Sequence, residues 1–234
     1  MTSLSISNVT KQYGGLRPLR IRELSVAATD RVALVGFDQP SAELFVNLVT
    51  GQSIPDAGDI TVFDQRTADI TDSQEWLRFV DRFGIVSLRT VLLEGLTVFQ
   101  NLAIPFTLSV EPLADDVRAR AEVLADEVRL PVDCRTIAVS MLSAALKMRV
   151  RLGRALALDP SMLLLEHVSA GLSPADAGAL GRDTAAIVED RRIAAVVLTA
   201  DETFARAVAS RVLRWEPATG RLNERRGWFG GRVG

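Results

Sequence analysis

Short apolar runs with strand character recur along the chain, at residues 4–9, 32–35, 60–63, 84–86, 162–165, 195–198 and 212–215. Stretches with helical spacing lie between many of them, notably at 112–128, 142–157, 174–188 and 202–209. Strands that alternate with helices predict a parallel sheet covered on both faces, because each parallel connection must cross back over the sheet. Met162-Leu163-Leu164-Leu165 is apolar at every position, as a strand buried on two sides must be. The early part differs: short strands and the turn signal Pro55-Asp56-Ala57-Gly58 suit a small antiparallel sheet. Residues 90–150 carry no convincing strand and read as a helical insertion. No internal repeat or low-complexity tract interrupts the pattern.

Composition excludes several functions. A formal net charge of −2 and a pI near 5.6 argue against a general nucleic-acid binder. Cys134 is the only cysteine, so neither an intramolecular disulfide nor a cysteine-cluster metal site can form. His167 is the only histidine, which rules out a multi-histidine metal site. Of the 27 basic residues only Lys11 and Lys147 are lysines, so any chemistry that needs a lysine has two places to look. The first ten residues lack a basic segment followed by an apolar core, and no apolar run reaches the roughly 18–20 residues that cross a bilayer. The chain therefore reads as cytoplasmic, or as docked on a membrane by another component. From residue 221 it is rich in Arg, Gly, Trp and Phe and is expected to leave the core. The reading is a single domain over 1–222 and a basic, aromatic tail over 223–234, either a frayed terminus or a contact to a membrane surface or partner.

Val32-Ala33-Leu34-Val35-Gly36, seven intervening residues, then Leu44-Phe45-Val46-Asn47-Leu48-Val49-Thr50-Gly51 resembles the first strand, phosphate loop and following helix of ATP-binding cassette (ABC) ATPases. The resemblance continues in order. Tyr13 falls where the family has an adenine-stacking aromatic. Leu96-Thr97-Val98-Phe99-Gln100-Asn101-Leu102 with Pro105 resembles the segment after the glutamine loop. Leu142-Ser143 with Arg149, Arg154 and Pro160 resembles the signature helix. Residues 162–165 with Gly171, Leu172 and Pro174 resemble the Walker B strand and D-loop, and Leu198-Thr199 with Asp201 brackets the switch position. The resemblance implies a P-loop NTPase of the ABC nucleotide-binding-domain type. It would have a RecA-like parallel-sheet core, a small antiparallel β subdomain and a helical subdomain at about 90–150.

The framework is kept, while the positions that carry the chemistry are changed. A phosphate loop reads G-x-x-x-x-G-K-[ST], with backbone N–H groups closing on phosphates, a lysine reaching the β/γ oxygens and a hydroxyl binding Mg²⁺. Here the window is Gly36-Phe37-Asp38-Gln39-Pro40-Ser41-Ala42-Glu43. Ala42 stands at the lysine position and Glu43 at the hydroxyl position; Gln39 and Ser41 replace loop glycines. Locally, Ser41 is expected to cap the following helix and Glu43 to sit in its first turn. By the same resemblance the glutamine-loop position is Leu88, the Walker B aspartate is Glu166 and the catalytic glutamate is His167. The D-loop aspartate is Ser173 and the switch histidine is Ala200. The signature reads Leu142-Ser143-Ala144-Ala145-Leu146, with two added Cβ atoms where backbone approaches a γ-phosphate.

No metal ligands and no catalytic residues are expected, and ATP with magnesium is implied by the family alone. Tyr13, Gly36, Gln39, Ser41 and Ser143 mark what is left of a nucleotide site. An arginine from elsewhere could replace the missing lysine, a question the sequence leaves open. The chain resembles the compact ATPases of lipoprotein and lipid export and of macrolide-type efflux. It is expected on the inner face of the cytoplasmic membrane as a non-hydrolytic structural or regulatory subunit. A permease would dock in a groove near Leu88, Leu92, Leu93 and Phe99, whose alternative role is core packing, and the chain would dimerise with itself or another ABC ATPase. One alternative is an ATP-binding subunit active only with a catalytic partner; another is a soluble scaffold derived from such an ATPase.

Overall fold

A computed structural model describes residues 2–224. The strands are β1 (Thr2–Lys11), β2 (Leu19–Ala27), β3 (Arg31–Val35), β4 (Ala57–Val62), β5 (Gln65–Arg66), β6 (Phe83–Ser87), β7 (Met162–Glu166), β8 (Ala194–Thr199), β9 (Arg211–Glu216) and β10 (Arg221–Glu224). The helices are α1 (Gln39–Val49), α2 (Ser73–Val80), α3 (Val98–Ala103), α4 (Asp115–Glu127), α5 (Ala144–Leu156), α6 (Pro174–Arg191) and α7 (Glu202–Val208).

Two sheets result. One has the order β10-β9-β3-β8-β7-β6, parallel throughout except for β10, which runs antiparallel to β9. The other is antiparallel, in the order β2-β1-β4-β5. Alternation along the central strands divides the apolar side chains between two cores. Leu163, Leu165, Ala195 and Val197 join the helical insertion, α5 and α6 on one face; Met162, Leu164, Val196 and Leu198 join α1 and the antiparallel sheet on the other. Because both faces are covered, β7 and β8 must be apolar at nearly every position. Each fully buried leucine there contributes roughly 1.5–3 kcal/mol through removal from water.

The helix starts carry capping side chains: Asp38, Asp72, Thr97, Ser143, Ser173 and Asp201 each accept a backbone N–H of the first turn. The exception is α4, where Ala114 precedes the helix and offers no side-chain acceptor. That helix begins at Asp115, three residues later than its apolar spacing implies. The strand β2 is absent from the sequence reading, as are α2 and the short β5. The tail also needs correction: residues 221–224 pair with β9 and so belong to the main sheet, which moves the domain edge past residue 222. Residues 225–234 of the tail lie outside the described residues.

The segment between β6 and α3 is tied down by polar contacts. Asn101, fully buried on α3, accepts from the Leu93 amide at 3.0 Å and donates to the carbonyls of Leu93 and Thr97. Arg151 and Arg154 on α5 donate to the carbonyls of Thr90 and Val91. Residues 89–93 are therefore held from two helices without secondary structure of their own.

Candidate functional site

The carboxyl ends of β3, β7 and β6 and the start of α1 converge on one cluster of charged side chains. Arg89, two residues beyond β6, lies at its centre. Its guanidinium meets Glu166 at the end of β7 with two bonds, Nη2–Oε2 at 2.6 Å and Nε–Oε1 at 3.1 Å. Nη1 also pairs with Glu43 of α1 at 3.0 Å. Gln39, the first residue of α1, donates its side-chain amide to Glu166. The Glu166 side chain is fully buried, whereas Arg89 and Glu43 are each a little over 40% exposed. Arg89 is thus held charged, its proton affinity raised first by the hydrogen bonds to Glu166. A carboxylate so buried needs a partner of this kind, since an unpaired one would pay a large desolvation cost.

One turn away, the helix start is closed by Asp38 and not by Ser41. The Asp38 carboxylate accepts from the Ser41 amide at 3.0 Å and from the Ser41 hydroxyl, while its own carbonyl accepts from the Ala42 amide at 2.9 Å. The helix therefore starts at Gln39, earlier than a cap at Ser41 would allow, and Glu43 falls outside the first turn. Pro40 brings no N–H to the first turn. The positive end of α1 faces an internal anion. The Ser41 hydrogen bonds, foremost among several causes, hold the Asp38 carboxyl below the usual carboxylate range.

Because folding lowers this pKa, the stability it contributes is present above the unfolded value of about 3.9 and is lost as pH falls through the folded value. Replacing Asp38 by alanine is expected to cost about 1 kcal/mol at neutral pH. The gap between the two proteins in urea unfolding should narrow below about pH 4.

The other marked residues are dispersed in role. Ala42 is buried against the core beneath α1. His167 follows Glu166 with a left-handed backbone (φ 47°); its amide donates to Leu198, and its buried Nε2 has no hydrogen-bond partner among the described residues. Ser143 and Ser173 serve as caps of α5 and α6, and the Ser143 hydroxyl accepts from the Leu146 amide. Ala200 is exposed after β8, and Leu88 is about half exposed next to Arg89.

Tyr13 lines an open cavity of about 940 Å³ with Gly36, Asp38 and Trp215. A Cβ added at Gly15 would come within 2.7 Å of the hydroxyl end of the Tyr13 ring, so a larger residue there requires that side chain to shift. The ring also packs on the second core.

Residues 19–168, well over half of the chain, match the family model described as ABC transporter. The chain belongs to the ABC transporter family. It is 27% identical over 90% of its length to the sulfate/thiosulfate import ATP-binding protein CysA of Pectobacterium atrosepticum. It is 29% identical over 89% of its length to the methionine import ATP-binding protein MetN of Caulobacter vibrioides. The alignments span 63% of the length of each of these relatives. Among solved structures, the ATP-binding cassette MJ0796, described in a dimeric post-hydrolysis state with ADP and Pi, superposes with a TM-score of 0.77 at 22% identity. That comparison covers 96% of this chain and all of the other. CbiO1 from Clostridium perfringens, part of the complex cbiONQ, gives a TM-score of 0.79 at 16% identity, covering 95% and 87%. These structures establish the P-loop NTPase fold of ABC cassettes.

Within this ABC-family fold, two residues central to the cluster were not among the marked positions. Arg89 adjoins Leu88 in sequence but meets Glu166 from 77 residues away, and no local pattern signals that contact. Asp38 carried a usable signal, an aspartate just before a helix being a strong cap, but the expected cap was Ser41. The groove proposed for a permease also changes: Leu92 and Phe99 are 6% and 7% exposed and belong to the core, leaving Leu88 and Leu93 outside. The lysines are engaged elsewhere, Lys11 with Asp56 and Lys147 with Glu94.

Proposed function

We propose that this ABC-family chain serves a membrane transport complex as a non-hydrolytic structural or regulatory subunit. The observation that carries this reading is Arg89, which bridges Glu43 and Glu166 at the convergence of strand ends and helix start. A magnesium-bound nucleotide would need carboxylate or hydroxyl oxygens open to the ion and amides open to phosphate. The residues present do not fit that group. Both carboxylates face a guanidinium, the helix amides face Asp38, and no lysine stands on the loop. Phosphoryl transfer depends on positioning and charge stabilisation, so no step of it is assigned to these side chains.

The same reading places a permease against the surface that carries Leu88 and Leu93. It also places the chain at the inner face of the cytoplasmic membrane, in a dimer with itself or another ABC ATPase. No described helix is long and apolar enough to cross a membrane, so attachment would come from the partner. A second reading, ATP binding that becomes active beside a catalytic partner, is favoured by the ATP-binding names of the relatives. Against it, Ala144 and Ala145 follow Ser143 and add Cβ atoms where backbone would approach a γ-phosphate.

The test is purification of the tagged chain from detergent-solubilised membranes. A transport subunit co-elutes with a polytopic membrane protein at a fixed ratio, without ATP turnover by the complex beyond that of any catalytic partner. Recovery as a soluble protein with no membrane subunit would overturn the reading.

A further inference from the structure

Four arginines gather around the turn that joins β9 to β10. Arg17 and Arg20 line a groove of about 280 Å³ with Pro217 and Ala218. Arg22 donates its amide to the Gly220 carbonyl at 2.8 Å and its Nε to the Thr219 carbonyl at 3.1 Å, so it stands over the same turn. Arg22 and Arg221 line a neighbouring groove of about 380 Å³. All four residues are exposed.

None of the four has a carboxylate within ion-pair distance among the described residues. The acidic side chains nearby are largely engaged with other groups. Glu216 accepts from Thr219 at 3.0 Å and from Asn223 at 2.7 Å, and Glu224 pairs with Arg211 at 3.7 Å. Glu23, on the wall of the second groove, adds one exposed negative charge. Apolar surface lies beside the arginines: Leu16, next to Arg17 in the chain, is fully exposed, and Pro18 belongs to the first groove. Beyond Glu224, outside the described residues, the sequence continues with Arg225, Arg226, Trp228, Phe229 and Arg232, and residues 225–234 contain no Asp or Glu.

Scattered exposed arginines need no ligand, being at home in water. Here they are concentrated at one corner of a chain whose formal net charge is −2, so anions are drawn to that corner and not to the surface as a whole. A nucleic acid would answer the charge alone. A sheet of phosphate headgroups over hydrocarbon answers both features, because the arginines meet phosphate while Leu16 enters the apolar layer. We propose that this corner binds an anionic lipid surface, with Arg17, Arg20, Arg22 and Arg221 against the headgroups and Leu16 beneath them. The inference rests on the transporter reading only for which membrane the chain meets.

The experiment sediments the full chain with vesicles of phosphatidylcholine alone and with vesicles of equal parts phosphatidylcholine and phosphatidylglycerol, at low and at physiological salt. Binding to the anionic vesicles is expected, weakening as salt rises, with none to phosphatidylcholine alone. Each arginine near such a surface is worth about a fivefold factor in affinity, so Arg17→Gln with Arg20→Gln should weaken binding about twenty-five-fold. Leu16→Ser should weaken it about tenfold. Arg78→Gln on α2, which lines neither groove, should leave it unchanged. Unaltered urea midpoints establish that the variants fold. Equal binding to both kinds of vesicle, or an equal loss in Arg78→Gln, would overturn the inference. So would binding to duplex DNA that matches the vesicle affinity, with neither affected by Leu16→Ser. Vesicle binding by a chain that never co-purifies with a membrane subunit would overturn the transporter reading and leave this surface standing; co-purification without vesicle binding would do the reverse.

Discussion

Replacing Arg89 by leucine is expected to destabilise the protein by about 2–3 kcal/mol. Removing one partner of a fully buried pair typically costs ~3–5 kcal/mol, because the remaining charge is stranded away from water. Here the loss is smaller, since the outer edge of the guanidinium is exposed and water can enter beside Glu166. Glu43 contributes little to the change, being exposed enough to be solvated when its partner leaves. Equilibrium unfolding in urea measures the effect directly. The second variant that separates causes is Arg89→Leu combined with Glu166→Gln. The amide keeps the bond from Gln39 and has no charge to strand, so the double variant should recover more than half of the loss. Simple additivity of the two single changes would mean that the pair is only incidental to the fold.

The same residue explains how far the sequence could be read. The parallel core was legible because burial on both faces leaves a direct trace: runs such as 162–165 and 195–198 have no polar position to spare. The strand β2 hid because its alternation breaks. Leu19 and Ile21 point inward, Arg22 and Glu23 both point out, and Leu24 and Val26 resume the inward face. Across from that break Asn8 takes a left-handed backbone (φ 50°), which an asparagine tolerates, and turns the partner strand with it. A period-2 pattern that slips by one residue reads as no pattern at all.

In the candidate site, positions were legible while contacts were not. The resemblance located Glu43 and Glu166 but could not show that they share a cation, since the contact with Arg89 joins segments far apart in the chain. The groove residues failed for a related reason. In residues 88–93 no helix or strand period governs which side chains point inward, so Leu92 is core and Leu93 is half exposed with nothing local to distinguish them. Asn101 settles the matter by binding both backbone groups of Leu93, a contact made from the next helix.

The second large effect concerns nucleotide. Each charge-assisted contact that a phosphate site loses costs on the order of 1.5–3 kcal/mol, and on the proposed reading Ala42 and Glu43 stand at the lysine and metal-hydroxyl positions. Asp38 and Glu43 add negative charge near the place where phosphate oxygens would lie, which repels a triphosphate instead of holding it. Two lost contacts alone correspond to at least a hundredfold to ten-thousandfold weaker binding, at about 1.4 kcal/mol for each factor of ten, before the repulsion is counted. Arg89 does not compensate, because its two bonds to Glu166 and its pairing with Glu43 leave it turned toward carboxylates.

Isothermal titration of the purified chain with ATP in the presence of Mg²⁺, followed to millimolar nucleotide, tests whether Arg89 and Asp38 close the site to nucleotide. No saturable heat is expected for the native chain and none for Tyr13→Ala. A micromolar dissociation constant that depends on Mg²⁺ and disappears in Tyr13→Ala would contradict this expectation, because the nucleotide would then have displaced Arg89 and Asp38 from their partners and occupied the site they fill.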